Sequence, residues 1–281
     1  MVPGPSQAVY PVLVMVVAVM PSASSYYVAL DDHRFSSTPA TVGPWDPRLQ
    51  HGGPPAALLA RAIEHGLPRP NARIARITFD FLGPVPVDEL TVQAEVDRAG
   101  ARIERSRATL AAGGRAVMEA RAWRIATSPD RSPAAPMQGS LPPLPGPVEN
   151  MQFFADVPTF GYGESLEWRF AEGSFAEPGP AAVWTRPRIP LLDDEALSPL
   201  CRLLLMVDSA NGISAELAPT AYTFVPVELT VNVQRHPRTE WVGMRARTTL
   251  EPDGIGLTRA ELFDEQGHLG VAVQTLFVAP R

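Results

Sequence analysis

The carboxylate of this sequence most in need of a chemical explanation is Asp208. It closes the stretch Ser198 to Gly212, SPLCRLLLMVDSANG, in which Ser198 can cap a helix that Pro199 opens. Leu200, Leu203, Leu204, Leu205, Met206 and Val207 are apolar nearly all round, the pattern of a helix buried on most sides. A carboxylate arriving on such a helix must be neutralised, hydrogen-bonded or used. Used, it is a general base whose pKa is set by burial and neighbours. The alternative is a group satisfied at a frayed helix end by Ser209, Asn211 or water. A second helix start, His51-Gly52-Gly53, opens HGGPPAALLARAIEHG, where Ala56, Leu59, Ala60 and Ile63 repeat at helical spacing and Gly66 supplies the stop. Glycines there let a substrate approach free backbone N–H groups that stabilise an anionic oxygen. His51, Gly52 and Gly53 are therefore the candidate substrate-binding residues. His51 has no partnered acid or serine pattern around it and reads as a capping or structural residue, with a base as the alternative.

Other chemistries find little support. Cys201, the one cysteine, cannot form an internal disulfide and lies in the apolar helix far from any histidine, so it reads as core packing. His33, His65, His236 and His268 show no metal-ligand spacing, and no metal or redox cofactor is implied. Gly139-Ser140-Leu141 lacks the context of a nucleophile elbow. All 24 basic residues are arginine, against 30 acidic residues for a net charge of −6, and no basic tract suggests nucleic acid. Ala8 to Met20 is an apolar run of signal-peptide length, too short to span a bilayer, and no Lys or Arg precedes Arg34. It reads as sequence upstream of a start at Met20, with a weak export signal as the alternative. The expectation is a cytoplasmic chain with no stable membrane insertion and with residues 1–25 poorly packed.

The elements that must position these residues repeat. Tyr26 to Leu30 reads as a short strand, and the 51–66 helix follows. Arg73 to Leu82, Leu90 to Arg98, Arg102 to Ala112 and Ala116 to Ile125 alternate apolar and polar residues between turn signals, as an antiparallel sheet does. Residues 127–150 hold seven prolines and form a linker. Beyond it come strands at Ser165 to Phe170 and Ala181 to Arg188, the Asp208 helix, then Val225 to Gln234, Trp241 to Leu250, Gly256 to Phe263 and Gly270 to Val278. The order of strand, helix and antiparallel run thus occurs twice, over 26–126 and 151–281. Ile77-Thr78-Phe79-Asp80-Phe81 falls over Leu229-Thr230-Val231-Asn232-Val233, and Val117 to Trp123 over Val271 to Phe277.

HGGPPAALLARAIEH, RLLLMVDSANG, PVELTVNVQRHPRTEW and GVAVQTLFV, in this order on a duplicated chain, resemble the acyl-CoA thioesterase II (TesB-like) family. The resemblance implies an α+β double hotdog, two tandem folds each with a helix wrapped by a curved antiparallel sheet, commonly assembled as a homodimer or higher homo-oligomer. It implies hydrolysis of acyl-CoA to fatty acid and coenzyme A by a water that an acid, a hydroxyl and a glutamine hold and polarise. Asp208 falls on the acid and Gln274 on the glutamine. In one register the hydroxyl position falls on Pro226, and Thr230, next in line on that strand, is the candidate instead.

These assignments suit thioester chemistry, which needs a base, a second group to fix the water and donors for the developing oxyanion. An amide such as Gln274 offers an acceptor and two donors. Its counterpart in the first half is Ala120 or Arg121, and the first helix lacks an acid at matching depth, so only the second half keeps the polar set. Arginine would grip the phosphates of coenzyme A, with Arg235, Arg238, Arg73 and Arg76 as candidates. The rival readings are a non-catalytic acyl-binding protein, for which Pro226 argues, and a hotdog enoyl-CoA hydratase, whose Asp-x-Asn-Pro-x-His pattern is missing.

Overall fold

A computed structural model describes residues 23–128, 133–148, 151–154, 157 and 159–281; the Ala8 to Met20 run lies outside them. The first half contains β1 (Tyr27–Ala29), β2 (Arg34–Ser37), α1 (Gly53–Gly66), β3 (Ala72–Phe81), β4 (Glu89–Arg98), β5 (Ile103–Ala112) and β6 (Arg115–Ala126). The second contains α2 (Gly161–Ser165), β7 (Leu166–Glu172), β8 (Ala181–Pro187), α3 (Pro199–Val207), α4 (Ala210–Ile213), β9 (Tyr222–Val233), β10 (Val242–Leu250), β11 (Ile255–Asp264) and β12 (Gly267–Pro280). Among the described residues no helix is long and apolar enough to cross a membrane.

All twelve strands form one sheet in the order β1-β2-β4-β5-β6-β3-β9-β12-β11-β10-β8-β7. The order is symmetric about the antiparallel β3–β9 pair, where Thr78 faces Thr230 across 152 positions of sequence. The same separation relates Ile77 and its partner Ala122 to Leu229 and its partner Gln274. It also relates a bulge at Ala75, between Ile74 and Arg76, to one at Val227, between Pro226 and Glu228. The duplication is therefore structural as well as sequential, in the α+β architecture expected. Its register corrects one detail: the first-half counterpart of Gln274 is Ala122, because the pairing with β3 and β9 fixes the alignment two residues away from the one read along the closing strands.

Inside the curved sheet α1 and α3 pack on one another, with Ala56, Leu58, Leu59, Ile63, Leu200, Leu203, Leu204 and Leu205 buried. Burial of apolar side chains at roughly 25 cal/mol per Å² drives this packing. The two helices also meet end to end. Ser198 caps α3 by accepting from the Cys201 N–H at 3.1 Å, and its hydroxyl donates to Glu64 Oε2 at 2.7 Å. The acid near the end of the first helix, Glu64, is thus closed onto the cap of the opposite helix. Cys201 is buried, its Sγ 3.4 Å from the Ala57 carbonyl, and burial pushes its thiol pKa up.

The proline-rich segment runs through 133–148 without helix or strand. Leu141 joins Ala182, Trp184, Trp241 and Phe263 in a satellite cluster, and a Cβ on Gly243 would stand 2.3 Å from Leu141 Cδ1. Trp184 Nε1 donates to the Pro142 carbonyl at 3.0 Å.

Under the far end of α1, Arg124 is buried among acceptors. It pairs with Glu104 and donates to the carbonyls of Ile63 and Leu67, capping a helix end whose last carbonyls have no partner of their own. Replacing one partner of such a pair strands the other. Arg124→Met is expected to lower stability by about 3–5 kcal/mol in urea unfolding, and the pair Glu104→Gln with Arg124→Met by less than the single change.

Candidate active site

The helix carrying Asp208 is not continuous. α3 stops at Val207, Asp208 is its C-terminal cap residue, and the chain turns before α4. The N-terminus of α1 arrives at this break, and the approach is close enough to require two glycines. A Cβ on Gly53 would stand 2.3 Å from the Leu205 carbonyl oxygen, and one on Gly52 would stand 2.5 Å from Asp208 Oδ2. A side chain at Gly53 would have to move backbone, and one at Gly52 would displace the Asp208 carboxylate and the Phe81 ring.

Asp208 is buried, with two donors on its carboxylate and the His51 ring beside it. The Gly52 N–H donates to its carboxylate, Gln274 Nε2 donates to Oδ1 at 3.2 Å, and His51 Nδ1 lies 3.4 Å from Oδ2. Burial dominates these contacts and raises its pKa from 3.8 to about 7, against the hydrogen bonds from Gly52 and Gln274, which lower it. Burial likewise lowers the pKa of His51 to about 3. The ring is neutral, so its contact with Asp208 is not an ion pair. Its Nδ1 accepts the Gly53 N–H at 3.1 Å, which leaves its proton on Nε2. The ring stacks on Tyr162, centroids 3.7 Å apart and planes 5° apart. Tyr162 donates to the Leu205 carbonyl and accepts from Ser209 Oγ, both at 2.7 Å.

Asp208, Ser209 and Asn211 form one wall of a cavity of about 410 Å³. The remaining walls include Trp45, Phe81, Phe154, Phe160, Phe175, Val225 to Val227 and Phe277. An apolar hollow with a few converging polar groups, one of them a strongly perturbed carboxylate, is the usual form of a small-molecule site. Among the described residues no group of three or more His, Cys, Asp or Glu could hold a metal ion.

The structure brings Asp208, Gln274, His51, Gly52 and Gly53 together. Gln274 is fully buried behind Asp208 and does not line the cavity; its Oε1 accepts the Asn211 N–H at 3.1 Å and its Nε2 also reaches the Asp208 carbonyl. Its amide therefore orients the carboxylate. The Gly52 and Gly53 N–H groups are engaged with Asp208 and His51, and Pro54 and Pro55 have none to give, so the expected free donors at the start of α1 are absent. His51 Nε2–H has no protein acceptor among the described residues and belongs to a ring on the cavity wall.

Thr230 is not at the site. The bulge at Val227 reverses the alternation of β9, so that Leu229, Val231 and Val233 face the helices and Thr230 faces out, bonding Thr78 at 2.9 Å and Glu228 at 3.0 Å. Pro226 does line the cavity and brings no hydroxyl. Of the arginines, Arg235 is paired with Asp264 and Arg76 donates to Thr78. Tyr162 and the Phe154 wall had escaped notice; only the aromatic density of MQFFADVPTFGYGES could have pointed to them.

In the folded chain Asp208 keeps its proton to about pH 7, whereas unfolded it loses it near 3.8. Each pH unit between these values destabilises the fold by up to about 1.4 kcal/mol. Asp208→Asn is therefore expected to gain stability over the original protein as pH rises from 5 to 7, with little further change to pH 8. Urea unfolding at each pH checks this, and a difference that shrinks with rising pH contradicts it.

The model of the acyl-CoA thioesterase C-terminal domain matches residues 129–278, and that of the N-terminal domain matches 41–125. Similar solved structures include a hot dog fold protein of unknown function from Alicyclobacillus acidocaldarius, with TM-score 0.68 and 18% identity over 90% of this chain and 95% of that one. An acyl-CoA thioesterase II from Mycobacterium marinum has TM-score 0.61 and 18% identity over 91% and 94%. A tesB protein from Mycobacterium avium subspecies paratuberculosis has TM-score 0.61 and 16% identity over 90% and 96%. Among curated proteins no sequence matches the chain.

Proposed function

The chain belongs to the acyl-CoA thioesterase family, hydrolases of acyl-CoA thioesters, and from that premise we propose that the Asp208 cavity is where it cleaves them. The observation that carries this reading is a buried carboxylate with a pKa near 7 on the wall of an otherwise apolar cavity. Ionised, Asp208 takes a proton from a water in the cavity as the water oxygen attacks the thioester carbon. The carbonyl π electrons move onto oxygen, where the His51 Nε2–H is the available donor. Collapse of the tetrahedral species breaks the C–S bond, and Asp208 returns its proton to the departing thiolate. The products are a carboxylic acid and free coenzyme A.

A base works best when its pKa lies near the working pH, and burial has brought Asp208 there. Gln274 acts through Asp208 by fixing its orientation, and Tyr162 acts through His51 by stacking on it. The aromatic walls receive the acyl group. Because the ring of His51 is neutral, it serves as a hydrogen-bond donor and not as an acid.

Pro226 favours a second reading, acyl-CoA binding without turnover, since the wall position where a hydroxyl could help hold water has none. Release of free thiol from short to long acyl-CoAs decides between them. The hydrolytic reading expects release by the original protein, a loss of about 10³-fold in kcat for Asp208→Asn, and about 10- to 100-fold for Gln274→Ala or His51→Ala. It also expects kcat to rise with pH to a plateau above about 7, because Asp208 must be ionised. Binding of acyl-CoA with no thiol released at any chain length would establish the second reading instead.

A further inference from the structure

A hollow of about 690 Å³ lies at the opposite end of the β3–β9 pair from Asp208, with Arg73, Ile74, Ile125, Val233, His236 and Arg238 on its walls. Its wall repeats that of the Asp208 cavity at the separation that relates Thr78 to Thr230. Arg73 and Ile74 stand where Val225 and Pro226 stand, Ile125 where Phe277 stands, Val233 where Phe81 stands and His236 where Pro84 stands. Duplication kept the hollow and changed its chemistry.

The difference has two parts. At the Asp208 end, helix termini form part of the wall; here no helix residue does. The matching ends of α1 and α3 are closed against each other by Glu64 with Ser198 and by Arg61 with Glu195. No carboxylate lines the second hollow among the described residues, so it has no counterpart of Asp208. In place of the apolar rim stand cations. Arg73 and Arg238 are exposed and have no carboxylate partner among the described residues, whereas Arg61, Arg69, Arg124 and Arg235 each have one. His236 is fixed by an Nε2–H donated at 2.9 Å to the Ile74 carbonyl, which the bulge at Ala75 releases from the strand ladder.

Two arginines on one concave wall, neither guanidinium paired with a carboxylate among the described residues although Asp264 accepts the Arg238 backbone N–H at 2.9 Å, make a receptor for phosphate, which guanidinium matches in charge and geometry. The hollow is far larger than a phosphate group, and Ile125, exposed beside the buried Ile74 and Val233, supplies an apolar floor on which a flat ring can lie. We propose that this second hollow binds a phosphorylated nucleotide, its phosphates on Arg73 and Arg238 and its base over Ile125. The site is distinct from the Asp208 cavity: Arg73 and Phe81 lie at opposite ends of β3, about 26 Å apart at the rise of a strand. The inference does not depend on the chemistry at Asp208.

Calorimetric titration of the full chain with adenosine 3′,5′-bisphosphate, pyrophosphate and adenosine tests it. The bisphosphate is expected to bind, with affinity falling as salt is raised. Arg73→Ala with Arg238→Ala should weaken it at least tenfold, while Arg48→Ala, an exposed arginine at the other end of the molecule, should change it less than twofold. Both replaced side chains are exposed, and unchanged thermal unfolding confirms that the double variant is folded; Arg73→Gln with Arg238→Gln serves equally if it is not. Pyrophosphate should bind at least tenfold more weakly than the nucleotide, and adenosine not measurably. Absence of nucleotide binding, equal affinity in the double variant, or pyrophosphate binding as tightly as the bisphosphate would each overturn the proposal.

Discussion

The site depends on one junction, the start of α1 driven against the end of α3. Gly52 and Gly53 permit the contact, and Asp208 is shut inside it with the Gly52 N–H on its carboxylate and Leu205 against Gly53. Burial penalises the charged carboxylate more than the hydrogen bonds from Gly52 and Gln274 relieve it, and the outcome is a pKa near 7. The junction also fixes His51, whose Nδ1 takes the Gly53 N–H and whose face lies on Tyr162. The same few contacts that dock the two helices therefore bury both side chains and set their protonation. An ionisable group strained in this way destabilises the fold near neutral pH, a common feature of active sites.

Duplication supplies the scaffold for this asymmetry. Two copies of one helix-and-sheet unit, joined through β3 and β9, give two helix junctions and two hollows. At one junction a short acid meets a glycine cap and leaves a cavity open beside it. At the other a longer acid, Glu64, reaches the Ser198 hydroxyl, and Arg61 with Glu195 closes the gap. The side-chain length of one residue and the choice of serine or glycine at a cap thus separate an open end from a sealed one. The second hollow carries arginine where the first carries valine.

Much of this was legible in the sequence because it rests on local periodicity. Alternation marked the long strands, the apolar face of residues 51–66 marked α1, and the repeat of Ile77 to Phe81 over Leu229 to Val233 exposed the duplication. Asp208 stood out because a carboxylate on an apolar helix has few places to go. What escaped depends on defects in that periodicity. The bulge at Val227 adds one residue to β9, so counting by twos from Pro226 puts Thr230 on the inner face when it lies on the outer one. The break after Val207 could not be seen in a run as apolar as RLLLMV, and the engagement of the Gly52 and Gly53 N–H groups follows from a tertiary contact that no local pattern encodes. Arg73 and Arg238 were candidates for holding phosphate; their meeting at one hollow required the fold.

Burial at the helix junction, and nothing in the local sequence, raises the Asp208 pKa to neutral pH. Titration of its side-chain carboxyl by carbon-13 NMR, with the resonance assigned by its disappearance in Asp208→Asn, measures this directly. An inflection near pH 7 is expected. An inflection near 4, the ordinary value for a solvated aspartate, would contradict it.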